Sequence, residues 1–276
     1  MYKRQVLITV FTGVLVAPGR VYFLDVLFFL LMMAFLVFGA ATLNCFIERD
    51  VDGKMDRTKD RPLPSKRLSP GFVLFFGTTL CTVSLGALFV YSNLATFTMA
   101  VIATVSYLFI YTPLKQKTEI ALYVGAIPGA LPPLMGWTYV TGSFSGVGIF
   151  LFAILFVWQL PHFLAIAIYH GKDYDAAKIQ VLPNLRGHKL AVWLIIGLSF
   201  LMIIISGAPA YLGQAPKSYG FTALTLSLVL FLYSVKGAFL LNKGSESETI
   251  VWARNYFWGT IIYLPLLLGS MLILIQ

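Results

Sequence analysis

Apolar and polar positions fall along this chain in long blocks rather than in short alternation. Nine apolar stretches can be marked, at about 5–18, 21–47, 71–91, 94–113, 118–140, 146–170, 190–211, 218–241 and 250–275. Most reach the roughly 20 residues that a helix rising 1.5 Å per residue needs to cross the hydrocarbon of a bilayer. Lipid offers a backbone N–H or C=O no other partner, so every stretch is expected to be helical. The pattern predicts an all-α, polytopic membrane protein of nine transmembrane helices. Between them the polar segments are short. The longest, about 48–70 and 171–189, leave no room for a soluble domain, and 1–276 reads as a single transmembrane domain. These two loops follow the second and sixth stretches, a spacing that suggests two helix groups closing around a central cavity.

Composition sharpens this picture. Of the 276 residues 59% are hydrophobic and 11% charged, with a mean hydropathy of +0.85. Soluble domains carry about 25% charged residues. A net charge of +9 could point to nucleic acid, but the bases sit in short joints between apolar runs, and no nucleic-acid partner is expected. Placing the N-terminus in the cytoplasm puts Lys3, Arg4, the seven Lys/Arg of 49–67, Lys115, Lys117, Lys172, Lys178, Arg186, Lys189, Lys243 and Arg254 on that side, 17 of 20 bases. This is the positive-inside bias of an inner or plasma membrane protein, with the C-terminus outside. The first run follows Lys3-Arg4 and could pass for a signal peptide, yet no small-residue cleavage site is obvious, so it reads as a short, retained span. Cys45 and Cys81 have no second Cys or His at ligand spacing, and neither metal nor disulfide is expected of them.

The candidate chemistry lies where the second stretch ends. Between Asn44 and Pro64 stand five carboxylates and five Lys/Arg. On a helix Asn44, Glu48 and Asp52 fall at i, i+4 and i+8; each step drifts about 40°, so the three line one face over roughly 12 Å. Three oxygen side chains on one face suit a hard cation such as Mg²⁺, which takes a few protein oxygens together with substrate phosphates. Lys54, Arg57 and Arg61, just beyond, are the bases a diphosphate would need. Pro62 and Pro64 then stop the helix. A solvated, positive-inside loop would also be charged, but carboxylates interleaved with bases at helical spacing favour a site.

Asn44-x-x-x-Glu48-x-x-x-Asp52 followed by Arg57-Thr58-x-x-Arg61-Pro62 resembles the first acidic motif of the UbiA superfamily of intramembrane prenyltransferases. The fuller string E-R-D-V-D-G-K-M-D-R-T-K-D-R-P, residues 48–62, is most similar to that superfamily's protoheme IX farnesyltransferase (haem O synthase) branch. Three further stretches carry the resemblance. Trp158-Gln159-x-Pro161-His162-Phe163, with Asp173-Tyr174-x-x-Ala177-x-x-x-x-Leu182-Pro183, resembles the second motif. Tyr111-Thr112-x-Leu114-Lys115-x-x-Thr118 closes the fourth stretch, and Gly125-x-x-x-Gly129-Ala130-x-Pro132-Pro133-x-x-Gly136-Trp137 spans the fifth. The superfamily usually has D-x-x-x-D at the second motif; here Asp173 and Asp175 stand two apart and do not share a helix face. The branch usually begins with extra residues and a K-P-R step that this N-terminus lacks.

What the resemblance implies is an all-α bundle around a cavity open to the cytoplasm and laterally to lipid. Its reaction would be transfer of farnesyl from farnesyl diphosphate to a vinyl group of haem B, with addition of water, giving haem O and diphosphate. Asn44, Glu48, Asp52 and Asp173 would hold Mg²⁺ as the catalytic set, and Lys54, Arg57, Arg61 and Lys115 would take the diphosphate. His162 would meet the acceptor. A haem A synthase or cytochrome oxidase assembly would stand downstream. Blander readings stay open beside these. His162 is equally a hydrogen-bonded core residue, although an ionisable group at membrane depth is costly and usually faces a cavity or a partner. Counted along one continuous helix, it would lie about 16 Å from Asp173. Lys115 is equally a positive-inside lysine, and the Gly125–Gly129 stretch reads better as close helix packing. Two rival functions remain: a related enzyme acting on a quinone precursor or a chlorin, and an ion-coupled transporter. A transporter should carry its charges at the midplane on broken helices, whereas these cluster at one rim.

Overall fold

A computed structural model describes residues 2–54, 58–176 and 179–275, and every regular element among them is helical. Each of the nine apolar stretches lies on a long helix: α1 Tyr2–Val16, α2 Phe23–Ile47, α3 Pro70–Tyr91, α4 Leu94–Leu114, α5 Ala121–Thr141, α6 Val147–Tyr169, α7 His188–Tyr211, α8 Lys217–Asn242 and α9 Glu246–Ile275. Seven of these, all but α1 and α5, are long and apolar enough to cross a membrane. Helix α1 is shorter, and α5 is diluted by Pro128, Pro132 and Pro133. The outward residues confirm the solvent for which the chain is built. Phe75, Phe109, Phe221 and Ile273 are more than two-thirds exposed, while Ser199, Ser206, Ser227 and Thr260 are fully buried. A water-soluble fold would reverse that arrangement; here lipid takes the apolar rim, and the hydroxyls find partners inside.

The chain divides into two compact units. In the first, which runs to Gly148, α2 packs mainly on α3 and α1 on α5, with α4 also against α5. Small residues let the backbones meet. A Cβ on Gly13 of α1 would come within 2.0 Å of the Pro133 carbonyl oxygen, and one on Gly136 of α5 within 2.0 Å of the Val10 carbonyl oxygen. The glycine of each helix thus accepts the backbone of the other. This fixes α1 as part of the packed unit. Gly125 faces the Tyr111 ring, 2.5 Å from where its Cβ would stand, so its part is also close approach.

Helix boundaries here have local causes. Ser69 caps α3 by accepting from the Phe72 amide, with Pro70 at the first position. Asn93 caps α4 through the Thr96 amide, and its own amide donates to the Thr138 and Tyr139 carbonyls, tying the start of α4 to the end of α5. Gly142 closes α5 with a φ of 67°, the left-handed conformation a glycine adopts freely. The second unit, from Ile149 to Asp175 and from Gln180 onward, stacks α7 on α8 and α8 on α9. Its interior is threaded by buried hydroxyl pairs, Ser199 with Tyr256 at 2.7 Å and Ser206 with Ser227 at 2.8 Å, the latter serine also meeting Tyr263 at 2.9 Å.

Candidate functional site

Helix α2 ends at Ile47, but its hydrogen-bond ladder does not. Glu48 N–H donates to the Asn44 carbonyl at 3.0 Å, and Asp52 N–H to the Glu48 carbonyl at 2.8 Å, across a short helix Arg49–Asp52. The break is a local distortion at Glu48, where φ is −95° and ψ 3°. The i, i+4, i+8 spacing therefore survives, and Asn44, Glu48 and Asp52 are each 7% exposed or less.

Buried acids need compensation, because desolvation costs several kcal/mol per ion unless a partner is in place. Each acid here has one. Arg61 places Nη1 2.7 Å from Asp52 Oδ2, and Lys115 is ion-paired to Glu48. Asn44 donates from Nδ2 to Thr112 Oγ1 at 3.0 Å, and Thr58 donates to the Asp52 carbonyl at 2.8 Å. Burial raises the Glu48 pKa above the ordinary carboxylate value against the opposing pull of Lys115, and the nearby charge of Asp52 raises it further.

Thr112 and Lys115 reach these acids because of how α4 ends. Pro113 has no N–H to give, and the turn before it widens into a π-helix, Ser106–Tyr111. Within that turn both the amide and the hydroxyl of Thr112 bond to the Tyr107 carbonyl. The end of α4 thus lies along the end of α2, with Thr112 on Asn44 and Lys115 on Glu48.

Of the residues singled out by the sequence, the structure brings together Asn44, Glu48, Asp52, Arg61 and Lys115. Lys54 stands exposed on the turn after Asp52, and Arg57 lies outside the described residues. Thr112, Thr58 and Tyr107 were not anticipated as partners; the threonines belong to the quoted motifs, but nothing in the pattern says which helix a hydroxyl will face. The donor set is three buried oxygen side chains, two of them carboxylates, which matches a hard divalent cation. Among the described residues no three His, Cys, Asp or Glu side chains converge into a metal cage; the oxygens at the end of α2 belong to two carboxylates and the amide of Asn44.

The remaining residues belong to the second unit. Asp173 lies on a short helix, Gly171–Ala176, and its Oδ2 is 3.2 Å from His170 Nδ1. Asp175 accepts from Asn184 Nδ2 at 2.6 Å, and the same amide bonds the Gly171 carbonyl, so the two acids of the second motif have separate partners. Helix α6 stops at Tyr169. The continuous helix assumed between His162 and Asp173 is therefore interrupted, and His162 lies about 10 Å below the end of α6. His162 is 1% exposed. Its ring stacks on Trp158 at 4.7 Å and meets Phe257 at 4.9 Å and Phe163 at 5.4 Å. Nδ1 is 2.7 Å from Thr260 Oγ1, and Thr260 donates its own proton to the Phe257 carbonyl at 2.6 Å. With that proton committed, His162 is the donor at Nδ1. Trp158 Nε1 bonds the Thr260 carbonyl at 2.9 Å, closing a lock between α6 and α9.

A bundle of apolar helices carrying a buried knot of acids and bases at the end of α2 is an intramembrane prenyltransferase architecture. The chain belongs to the UbiA prenyltransferase family, whose family model matches residues 6–261 and so runs through both units. Its curated relatives are more particular. It is 39% identical to the protoheme IX farnesyltransferase of Anaeromyxobacter dehalogenans over 95% of this chain and 86% of that one. It is 41% identical to the enzyme of that name from Sorangium cellulosum, over 88% and 85% of the two chains, and 40% identical to that of Myxococcus xanthus, over 96% and 88%. Among solved structures, a digeranylgeranylglyceryl phosphate synthase is similar with a TM-score of 0.78, at 18% identity over 98% of this chain and 93% of the other. A UbiA homolog from Archaeoglobus fulgidus bound to GPP and Mg²⁺ is similar with a TM-score of 0.65, at 16% identity over 98% and 97%. These two show the fold.

Proposed function

We propose that this prenyltransferase transfers the farnesyl group of farnesyl diphosphate to a vinyl group of protoheme IX (haem B), with addition of water, giving haem O and diphosphate. The observation that carries the reading is the pairing of Glu48 with Lys115 and of Asp52 with Arg61 in one buried knot. It supplies the oxygens for a divalent cation and the bases for a diphosphate on adjoining side chains. The high identity to proteins named protoheme IX farnesyltransferase supports haem B as the acceptor.

Asn44, Glu48 and Asp52 are the residues we assign to Mg²⁺, and Asp173 is assigned to metal or diphosphate binding in the same reaction. Bound there, the cation would neutralise the diphosphate and make it a better leaving group. Lys115 and Arg61 exchange a carboxylate partner for phosphate oxygens, and they stabilise the charge that grows on those oxygens as the allylic C–O bond breaks. Lys54 and Arg57 extend the basic side of the site. The apolar helices around it keep water from the allylic cation until the acceptor carbon has added. We assign His162, with its ring held by Trp158 and Thr260, to the acceptor. Nine spans with the N-terminus and both polar loops in the cytoplasm complete the proposal, in a cell membrane where a haem A synthase or cytochrome oxidase assembly would receive the product.

The test is direct. Detergent-purified protein is incubated with farnesyl diphosphate, Mg²⁺ and either haem B or 4-hydroxybenzoate, and products are read by mass spectrometry. Haem that has gained one farnesyl group and one water supports the assignment; prenylated hydroxybenzoate with unmodified haem overturns it.

A further inference from the structure

We propose that Thr112 is a positioning residue: its hydroxyl, alongside Glu48, holds the Asn44 amide nitrogen, so that Asn44 offers its carbonyl oxygen to a divalent cation. This rests on the metal assignment made above for Asn44, Glu48 and Asp52.

A threonine hydroxyl has one proton. That of Thr112 goes to the Tyr107 carbonyl at 2.7 Å, so toward Asn44 the hydroxyl is an acceptor only. It accepts from Asn44 Nδ2 at 3.0 Å. Reversing the amide would set Oδ1 against Oγ1, two acceptors face to face. Thr112 is fully buried and Asn44 nearly so, and little water is at hand to relieve the clash. The amide plane is thereby held with its nitrogen on Thr112, and the Glu48 carboxylate, which the same amide also hydrogen-bonds, favours that orientation too. The lock begins in the backbone. Tyr107 O is within reach of the Thr112 side chain five residues later because the turn between them is π-helical, and it is π-helical where Pro113 withholds an N–H. One stretch, Tyr111 to Lys115, therefore serves the site twice, orienting Asn44 through Thr112 and neutralising Glu48 through Lys115.

A carboxylate in place of the amide would have no wrong face, and this gives a test that separates positioning from general structure. Mn²⁺ is titrated into detergent-solubilised protein at a fixed, saturating concentration of inorganic diphosphate, and free Mn²⁺ is read from its electron paramagnetic resonance signal. Thr112→Val, which keeps the shape and loses the hydroxyl, should weaken Mn²⁺ retention about tenfold or more, the scale on which partners of metal ligands act. Thr112→Ser should retain it. In an Asn44→Asp background Thr112 has no face to choose and sets its oxygen against a carboxylate oxygen, so Thr112→Val should leave Mn²⁺ retention unchanged or raise it. The proposal is overturned if Thr112→Val binds Mn²⁺ as wild type does. It is equally overturned if the valine costs as much beside Asp as beside Asn, which is what loss of packing or folding would give. Should Asn44→Ala and Glu48→Gln both leave Mn²⁺ retention untouched, the metal assignment itself falls, and this inference with it.

Discussion

The end of α2 and the middle of α6 both carry residues that the sequence marked as chemical, and the two places are built on opposite terms. At the end of α2 charge is gathered and then cancelled locally. Two buried carboxylates each hold a base that reaches in from elsewhere, Arg61 from the following loop and Lys115 from α4. At His162 a neutral setting does the holding: the imidazole lies against the Trp158 and Phe257 faces and meets the Thr260 hydroxyl. On the proposed function the first arrangement is exchangeable, each ionic partner being traded for a phosphate or a cation. The second is not, because Trp158, Phe257 and Thr260 join α6 to α9 through the same ring. Substitutions at the first place should remove chemistry and spare the fold, and substitutions at the second should touch both.

The largest effect is expected at Glu48. Glu48→Gln keeps the shape and removes the charge, and turnover should fall about 100- to 1000-fold, the scale seen when one preorganised electrostatic group is lost. Thermal unfolding in detergent should stay close to wild type. A large fall in melting temperature with modest loss of turnover would reverse the contrast just drawn.

His162→Ala is the matching test in the second unit. Removing a fully buried ring should cost about 2–4 kcal/mol of stability, seen as a lower melting temperature. It should also change the absorption spectrum or affinity of added haem B, and leave farnesyl diphosphate binding intact. A variant that melts lower yet binds haem with the wild-type spectrum would make His162 a core residue only.

Much of the first region was legible in the sequence because a backbone rule carried it. A spacing of four residues puts side chains on one helix face whatever surrounds them, and the ladder through Asn44, Glu48 and Asp52 holds even across the distortion at Glu48. The identity of the bases was legible, but their pairing was not. That Lys115 meets Glu48 depends on how α4 lies beside α2, and the π-turn that sets this follows from Pro113 only once the helix is seen whole. His162 was legible from its own surroundings only as an expensive residue, and the resemblance alone pointed it at the acceptor. Its partner Thr260 lies 98 residues away, beyond any local pattern. The Gly13–Gly136 crossing is similar: each glycine is visible, and the fit of one helix backbone to the other is a tertiary fact.

A smaller effect is expected for the bases. Arg61→Ala should weaken inhibition by free diphosphate about tenfold, since a charge-assisted contact is worth roughly 1.5–3 kcal/mol in place; unchanged inhibition would mean that Arg61 serves Asp52 alone. The smallest belongs to Lys54, exposed on its turn. Lys54→Ala should shift diphosphate inhibition by no more than about twofold, within the ±0.5 kcal/mol usual at exposed positions, and a loss as large as that of Arg61 would place it inside the knot.

The central claim is that the acids and bases at the end of α2 take up a prenyl diphosphate through a divalent cation. Equilibrium binding of radiolabelled farnesyl diphosphate, with Mg²⁺ and then with the metal chelated, tests it most directly when run on wild type beside a Glu48→Gln, Asp52→Asn double variant. The account predicts binding that collapses on chelation in wild type and is already collapsed in the double variant. Binding that ignores the chelator, or a double variant that binds as tightly as wild type, would contradict it.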